Sequence, residues 1–190
     1  MKRMNKKGFT LIELLAVIII LGVLLLIAVP SVSKYIQQSR EKTYKTNLSK
    51  LVDEVSAEVN AMDFDSDYTF NTGEYLVVPI VCVELERGSN TKSPFNTYEV
   101  ARSFIVVERK SDGSGFNYYV TAKDASGFGT KLAYTDSVKI ETVTDDAVGN
   151  ITVSDGAYTV SMGSPINTTT NTTDKTAKLV TCSAFTEVVS

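Results

Sequence analysis

Gly8-Phe9-Thr10-Leu11-Ile12-Glu13-Leu14-Leu15-Ala16-Val17-Ile18-Ile19-Ile20-Leu21-Gly22-Val23-Leu24-Leu25-Leu26-Ile27-Ala28-Val29-Pro30 is the stretch whose reading decides the fold. Phe9 to Val29 is a run of 21 residues broken only by Thr10 and Glu13, and about 20 apolar residues in a helix suffice to cross a bilayer. Lys2, Arg3, Lys6 and Lys7 precede it. Basic residues before the span and none within it put the N-terminus on the cytoplasmic side and the bulk of the chain outside. Glu13 is the residue that needs explaining. A mid-membrane carboxylate costs about 2.5–3.5 kcal/mol, less near the interface, so it is read as functional and as needing a cationic partner.

An ordinary secretory signal accounts for this stretch poorly. The run exceeds the usual apolar region of about 7–15 residues, and its nearest cleavage candidate, Ala28, is followed by Val29-Pro30. A plain membrane anchor fits the run but leaves Glu13 without a role. Lys6-Lys7-Gly8-Phe9-Thr10-Leu11-Ile12-Glu13-Leu14 resembles the processing site of type IV prepilins and their pseudopilin relatives, with a short leader similar to the type IVa branch. The resemblance covers roughly residues 6–36. It implies that residues 1–8 are a leader, that a membrane peptidase cuts between Gly8 and Phe9, and that the new amine of Phe9 is methylated. It further implies that Glu13 pairs with the α-amine of Phe9 in a neighbouring subunit. Burial disfavours either charge alone but tolerates the pair. Glycine at the cut suits an extended backbone that a protease approaches closely. The implied partners are other copies of the chain together with minor pilins, the prepilin peptidase and methylase, an inner-membrane assembly platform with its ATPase, and the membrane before assembly.

Pro30 lacks an N–H and clashes with the carbonyl of Leu26, and Gly22 adds a second weak point. The resemblance implies a helix that loosens within Gly22–Pro30 during assembly; an ordinary proline kink is the alternative. Beyond Pro30, Ile36, Tyr44, Leu48, Leu51, Val52, Val55, Val59 and Met62 recur mostly at three- or four-residue steps, which makes one apolar helical face. The expected organisation is a helix over residues 9–62, its 9–30 half for membrane and polymerisation and its 31–62 half packed on a head formed by 63–190. The fold class expected is α+β, a long N-terminal helix on an antiparallel sheet.

Within the head, Asp63, Asp65, Asp67, Asn71 and Glu74 fall at calcium-loop spacing, but Tyr68 holds the position that wants glycine. A solvated acidic loop is the competing reading. Tyr75–Val83 is rich in β-formers, and Pro79 marks it as an edge or bent strand. Residues 103–109 and 117–122 flank a Gly-containing loop and form the clearest hairpin. Ser126–Gly129 reads as a turn and Val138–Val143 as a strand. Asp155-Gly156 joins two further strands tightly. Gly163–Lys178 reads as a long polar loop and Leu179–Phe185 as a closing strand. Cys82 and Cys182 are the only cysteines; outside the cell they can bridge, and two buried free thiols are the alternative. Asn47, Asn150, Asn167 and Asn171 begin N-glycosylation patterns, weak signals in a chain rich in Thr and Asn.

Net charge is −3, and removing the four basic residues before Gly8 leaves −7. Such an acidic body argues against nucleic acid as the main partner. The chain has no histidine, and no phosphate loop, Cys-x-x-Cys or nucleophile elbow is found. It reads as a substrate of processing enzymes rather than a catalyst, and no cofactor is expected. The leading function is a type IV pilus subunit forming an extracellular filament for adhesion, aggregation or motility. The alternative is a pseudopilin of a type II secretion or DNA-uptake apparatus; a membrane-anchored binding protein that never polymerises is a third class.

Overall fold

The computed structural model describes residues 8–63, 71–85, 90–154, 157–164, 166, 169–171 and 177–189. Two compact units make up the chain, Met1–Arg40 and Glu41–Ser190. Helix α1, Leu11–Asp63, contributes to both. In the first unit every residue from Gly8 onward is exposed, including the apolar side chains from Phe9 to Ile36. Ile36 therefore does not join the packed face that periodicity assigned it. The helix is long and apolar enough to cross a membrane, and none of its apolar window is buried in the chain.

In the second unit α1 buries Tyr44, Leu48, Leu51, Val52, Val55 and Val59, the three- and four-residue spacing that puts side chains on one helical face. They pack on a sheet formed by β1 (Tyr75–Pro79), β2 (Phe104–Arg109), β3 (Phe116–Lys123), β4 (Phe128–Tyr134), β5 (Glu141–Thr142) and a later strand. A smaller sheet follows, with β6 (Asn150–Ser154), β7 (Ala157–Ser161) and β8 (Thr169–Asn171) in that order. Strand β9 (Ala177–Leu179) returns to the large sheet, whose order is β5-β4-β3-β2-β1-β9. Its pairings are antiparallel except β1 with β9.

The large sheet is covered on both faces. Leu76, Val78, Ile105, Val107 and Val120 point to the α1 side; Val77, Phe104, Val106 and Tyr119 point to the other. That second face meets Ile151 and Val160 of the small sheet and Phe185 of the C-terminal helix α2 (Ser183–Val189). The head is thus three layers, with Phe104-Ile105-Val106-Val107 apolar throughout because both of its sides are buried. Gly149 marks where the sheets approach. Its N–H donates to Thr121 Oγ1 at 3.2 Å, and a Cβ there would lie 2.4 Å from Phe104 Cζ.

The 104–109/116–123 hairpin and the strands on either side of residues 155–156 stand where sequence pattern put them. Four other expectations are corrected. Strand β1 is not an edge: it sits between β2 and β9, and Pro79 is tolerated because β9 pairs only with Tyr75–Val77. The chain bends after Pro79 into a 3-10 turn, Ile80–Cys82. The turn near Ser126 spans Asp124–Gly127, two positions earlier than expected. Buried Asp124 accepts the N–H groups of Ser126 (2.9 Å) and Phe128 (3.2 Å), and Gly127 takes φ 81°. Phe128 and Gly129 then already belong to β4. Only Glu141–Thr142 of the 138–143 run pairs as a strand, although Val138, Ile140 and Val143 are buried. Finally, the polar 163–178 stretch contributes β8 and the start of β9, and the chain closes with a helix. Phe185 and Thr186 both donate their N–H groups to Cys182 O, and Phe185 and Val189, four apart, face the core.

Cys82 and Cys182 form a disulfide, Cα atoms 5.7 Å apart, closing a loop of sequence separation 100. Glu99, Arg102, Lys123 and Asp145 form an ion network at one end of β3: Lys123 pairs with Glu99 and, at 2.9 Å, with Asp145, and Arg102 reaches both acids. The hydrogen bond from Lys123 and then the charge of Arg102 hold the Asp145 carboxyl below its usual range. Replacing both cysteines by serine is expected to lower unfolding free energy by about 4–5 kcal/mol, as a loop of this length implies, measured by denaturant titration. Gly149→Ala is expected to lose about 1–3 kcal/mol through overpacking against Phe104, on the same assay.

Candidate processing and assembly site

Helix α1 starts where Thr10 stops the chain from being helical any earlier. The Thr10 hydroxyl accepts the Glu13 N–H at 3.3 Å, and Glu13 Oε2 accepts both the Thr10 N–H (2.8 Å) and the Thr10 hydroxyl (2.7 Å). Leu14 donates its N–H to Thr10 O at 3.2 Å as the helical ladder begins. This is a capping box, Thr-x-x-Glu, in which two otherwise orphaned backbone donors are satisfied reciprocally. Glu13 therefore has a local partner in the single chain that sequence reading did not assign it. The signal was present: Thr10 and Glu13 are three apart at the head of an apolar run.

The cap has a consequence for the bond upstream. Gly8 and Phe9 lie outside the helix, and Phe9 is 91 % exposed. A Cβ at Gly8 would meet nothing within 4 Å, so glycine is not required there by packing within the chain. The Gly8–Phe9 peptide is accordingly outside the helix, accessible and adjacent to a fixed helix start. Both hydrogen bonds to the Glu13 carboxylate use Oε2, so among the described residues Oε1 has no donor.

Gly22 and Pro30 both lie inside α1, and the helix continues through both. The open space around Gly22 shows that no neighbouring group requires its missing side chain. Pro30 leaves the Leu26 carbonyl without its helical donor, and next to it the Ser31 hydroxyl donates to Ile27 O at 3.2 Å. Such a back-bond often accompanies a locally weakened helix. Pro30 is thus a point of reduced backbone bonding within the helix, and Gly22 one of low intrinsic helix propensity.

The calcium-loop candidates are only partly placed. Asp65 and Asp67 lie outside the described residues, as does the side chain of Asp63. Asn71 and Glu74 do meet: the Asn71 N–H donates to Glu74 Oε2 at 3.2 Å, and Lys178 pairs with the same carboxylate at 3.5 Å. The Asn71 N–H is the main reason the Glu74 carboxyl sits below its ordinary value. Among the described residues no cluster of three or more metal-ligating side chains occurs.

The Prokaryotic N-terminal methylation motif matches residues 3–29, a range that includes Gly8, Phe9, Thr10 and Glu13. This is a type IV pilin-like protein. The chain is 41 % identical over 64 residues to the ComG operon protein 3 homolog of Bacillus licheniformis, covering 34 % of this chain and 62 % of that one. It is 39 % identical over 64 residues to competence protein ComGC of Bacillus subtilis, covering 34 % and 61 %. It is 37 % identical over 69 residues to the type IV major pilin protein PilA of Myxococcus xanthus, covering 36 % and 31 %. The matched stretch thus spans less than two thirds of each relative, and no solved structure matches. The pilin-like N-terminus and the helix-on-sheet architecture agree, since α1 carries both the motif and the buried face of the head.

Thr10→Val is expected to open the cap, at about 1 kcal/mol, while Thr10→Ser keeps it. Faster amide hydrogen exchange at Leu11–Glu13 in detergent micelles for valine, with the serine variant unchanged, is the measurement.

Proposed function

We propose that the chain is the subunit of a type IV pilus: cut between Gly8 and Phe9, methylated on Phe9, and polymerised through α1 into an extracellular filament. The observation that carries this reading is one helix serving two environments. Its apolar side chains between Phe9 and Ile36 are exposed, whereas its Tyr44–Val59 face is buried in the head. Exposed apolar surface on this scale marks an interaction or membrane site, and a bundle of like helices covers it once the subunit leaves the bilayer. Glu13 then offers Oε1 to the methylated amine of Phe9 in the next subunit, while Thr10 keeps Oε2. Gly22 and Pro30 supply the segment that loosens as the helices pack.

The partners follow from that reading: further copies of the chain, minor pilins, a prepilin peptidase that also methylates, and an assembly platform with its ATPase. The precursor is held in the cytoplasmic membrane with its N-terminus inside. The chain acts as a substrate and building block, not an enzyme. A competence pseudopilin is the second reading, favoured by the names of the two Bacillus relatives. Size supports the pilus instead. The 64 matched residues are 62 % of the Bacillus licheniformis protein, which leaves it little room for a three-layer head. The 69 matched residues are only 31 % of the Myxococcus protein.

Mass spectrometry of the processed chain is expected to begin at N-methyl-Phe9; retention of residue 1 refutes the reading. Gly8→Ser is expected to block cleavage. Glu13→Ala is expected to leave cleavage intact and to deplete the chain from sheared surface fibres at least about tenfold, as loss of a buried charge pair implies. Normal fibre yield from that variant counts against the pairing. Loss of transformation on deletion, with no fibres in the parent strain, selects the competence reading.

A further inference from the structure

Where α1 packs on the head, its two flanks are unlike. The buried stripe Tyr44, Leu48, Leu51, Val52, Val55 and Val59 marks the side that faces the sheet. At about 100° per residue, Lys42 and Lys45 fall to one side of that stripe and Glu54 and Glu58 to the other. Each pair is centred about a quarter turn from the stripe. Lys42, Lys45 and Glu58 are exposed and Glu54 is half-buried. Among the described residues none of the four forms an ion pair. Lys50 and Asp53 lie between the flanks, on the side turned away from the sheet, three residues apart and opposite in sign. One flank is thus cationic, and the opposite flank is acidic further along the helix.

These flanks complement each other in one register. Lys42 and Glu54 are 12 residues apart and Lys45 and Glu58 are 13 apart. At 1.5 Å per residue, one axial offset of about 18–20 Å therefore brings both pairs level. Copies anchored in one membrane lie parallel, because each span inserts in the same direction. Without an offset, parallel copies keep the two charged sets about 18 Å apart, well beyond the screening length of about 8 Å. The flanks also continue along the helix that exposes the apolar side chains between Phe9 and Ile36, so a copy that covers those side chains is drawn alongside them.

We propose that these flanks set the offset between subunits: Lys42 and Lys45 of one copy pair with Glu54 and Glu58 of a second copy seated nearer the membrane. The inference rests on the pilus reading and adds to it the residues that choose the register. A contact between unlike flanks is heterologous, and with an axial offset it propagates as an open helix instead of closing into a ring. Exposed ion pairs contribute little cohesion. Their effect is on which alignment is accepted, while the apolar part of α1 supplies the adhesion. Anionic lipid headgroups could attract the two lysines, but they leave Glu54 and Glu58 without a counter-charge, so a second copy is the favoured occupant.

Introduced thiols read the register directly, since Cys82 and Cys182 are tied to each other. Full-length chains carrying Lys45→Cys and Glu58→Cys are co-expressed and treated with a short bismaleimide. A heterodimer is expected, and each variant expressed alone is expected to give no dimer. Fibres without the heterodimer overturn the proposal and leave the pilus reading standing. A heterodimer in the membrane fraction with no surface fibres keeps the register and counts against the pilus reading; absence of both overturns both. Dimers formed equally well by either variant alone also overturn the proposal. As a second measurement, Lys42→Glu/Lys45→Glu is expected to lower fibre yield at least about fivefold with the thermal melting of the head unchanged. Adding Glu54→Lys/Glu58→Lys to it is expected to restore the yield. A quadruple variant as poor as the double one, which contact with anionic lipid would give, overturns the pairing.

Discussion

Six side chains on one stripe of α1, from Tyr44 to Val59, are buried against β1, β2 and β3, and the head is arranged around that contact. Fully burying an apolar side chain stabilises by about 1.5–3 kcal/mol, so this seam provides one of the two apolar faces that hold the sheet. The other face is closed by the small sheet and α2. With both faces occupied, the central strands read as continuous apolar runs instead of alternating ones. The same helix has no such partner along Phe9–Ile36, and that contrast is what gives the chain a function: the first half is left for a membrane or for other helices.

The N-terminus is where local and collective roles meet. A carboxylate at the start of an apolar helix is costly unless it is bonded, and Thr10 supplies two hydrogen bonds to it within the single chain. In the proposed pilus, a subunit would wait in the membrane with Glu13 partly satisfied, its second oxygen left for a neighbour's amine. The cap also starts the helix at Leu11, which leaves the Gly8–Phe9 bond outside it. On the proposed reading, one short-range motif serves processing, membrane residence and assembly together.

Much of this was legible from pattern. The apolar run, the 3.6-residue periodicity of α1 and the β2–β3 hairpin are signals that arise within a segment. What pattern missed depends on partners distant in sequence. Pro79 argued for an edge strand, but β9, about a hundred residues later, pairs only with the part of β1 ahead of it. Phe128–Tyr134 was passed over because Gly127 and Gly129 read as one turn, while buried Asp124 had already closed that turn. Cys182–Phe185 carries β-formers, yet the disulfide and the burial of Phe185 and Val189 at four-residue spacing select a helix. The Thr10–Glu13 cap is different. It was local and readable, and was obscured because Glu13 had already been given a role between subunits.

The bridge between Cys82 and Cys182 has a mechanical meaning as well as a thermodynamic one. If a filament subunit is pulled between α1 and α2, the load crosses from the end of β1 to the start of α2 through a covalent bond. The intervening residues, with β2 to β9 among them, are outside the path of the force. Fully extended, a loop of that length would add about 330–360 Å to the chain, and none of it can be drawn out while the bridge is intact. Tension then reaches β1, the segment joining it to α1, and the two helices, while β2 to β9 carry no load along the chain.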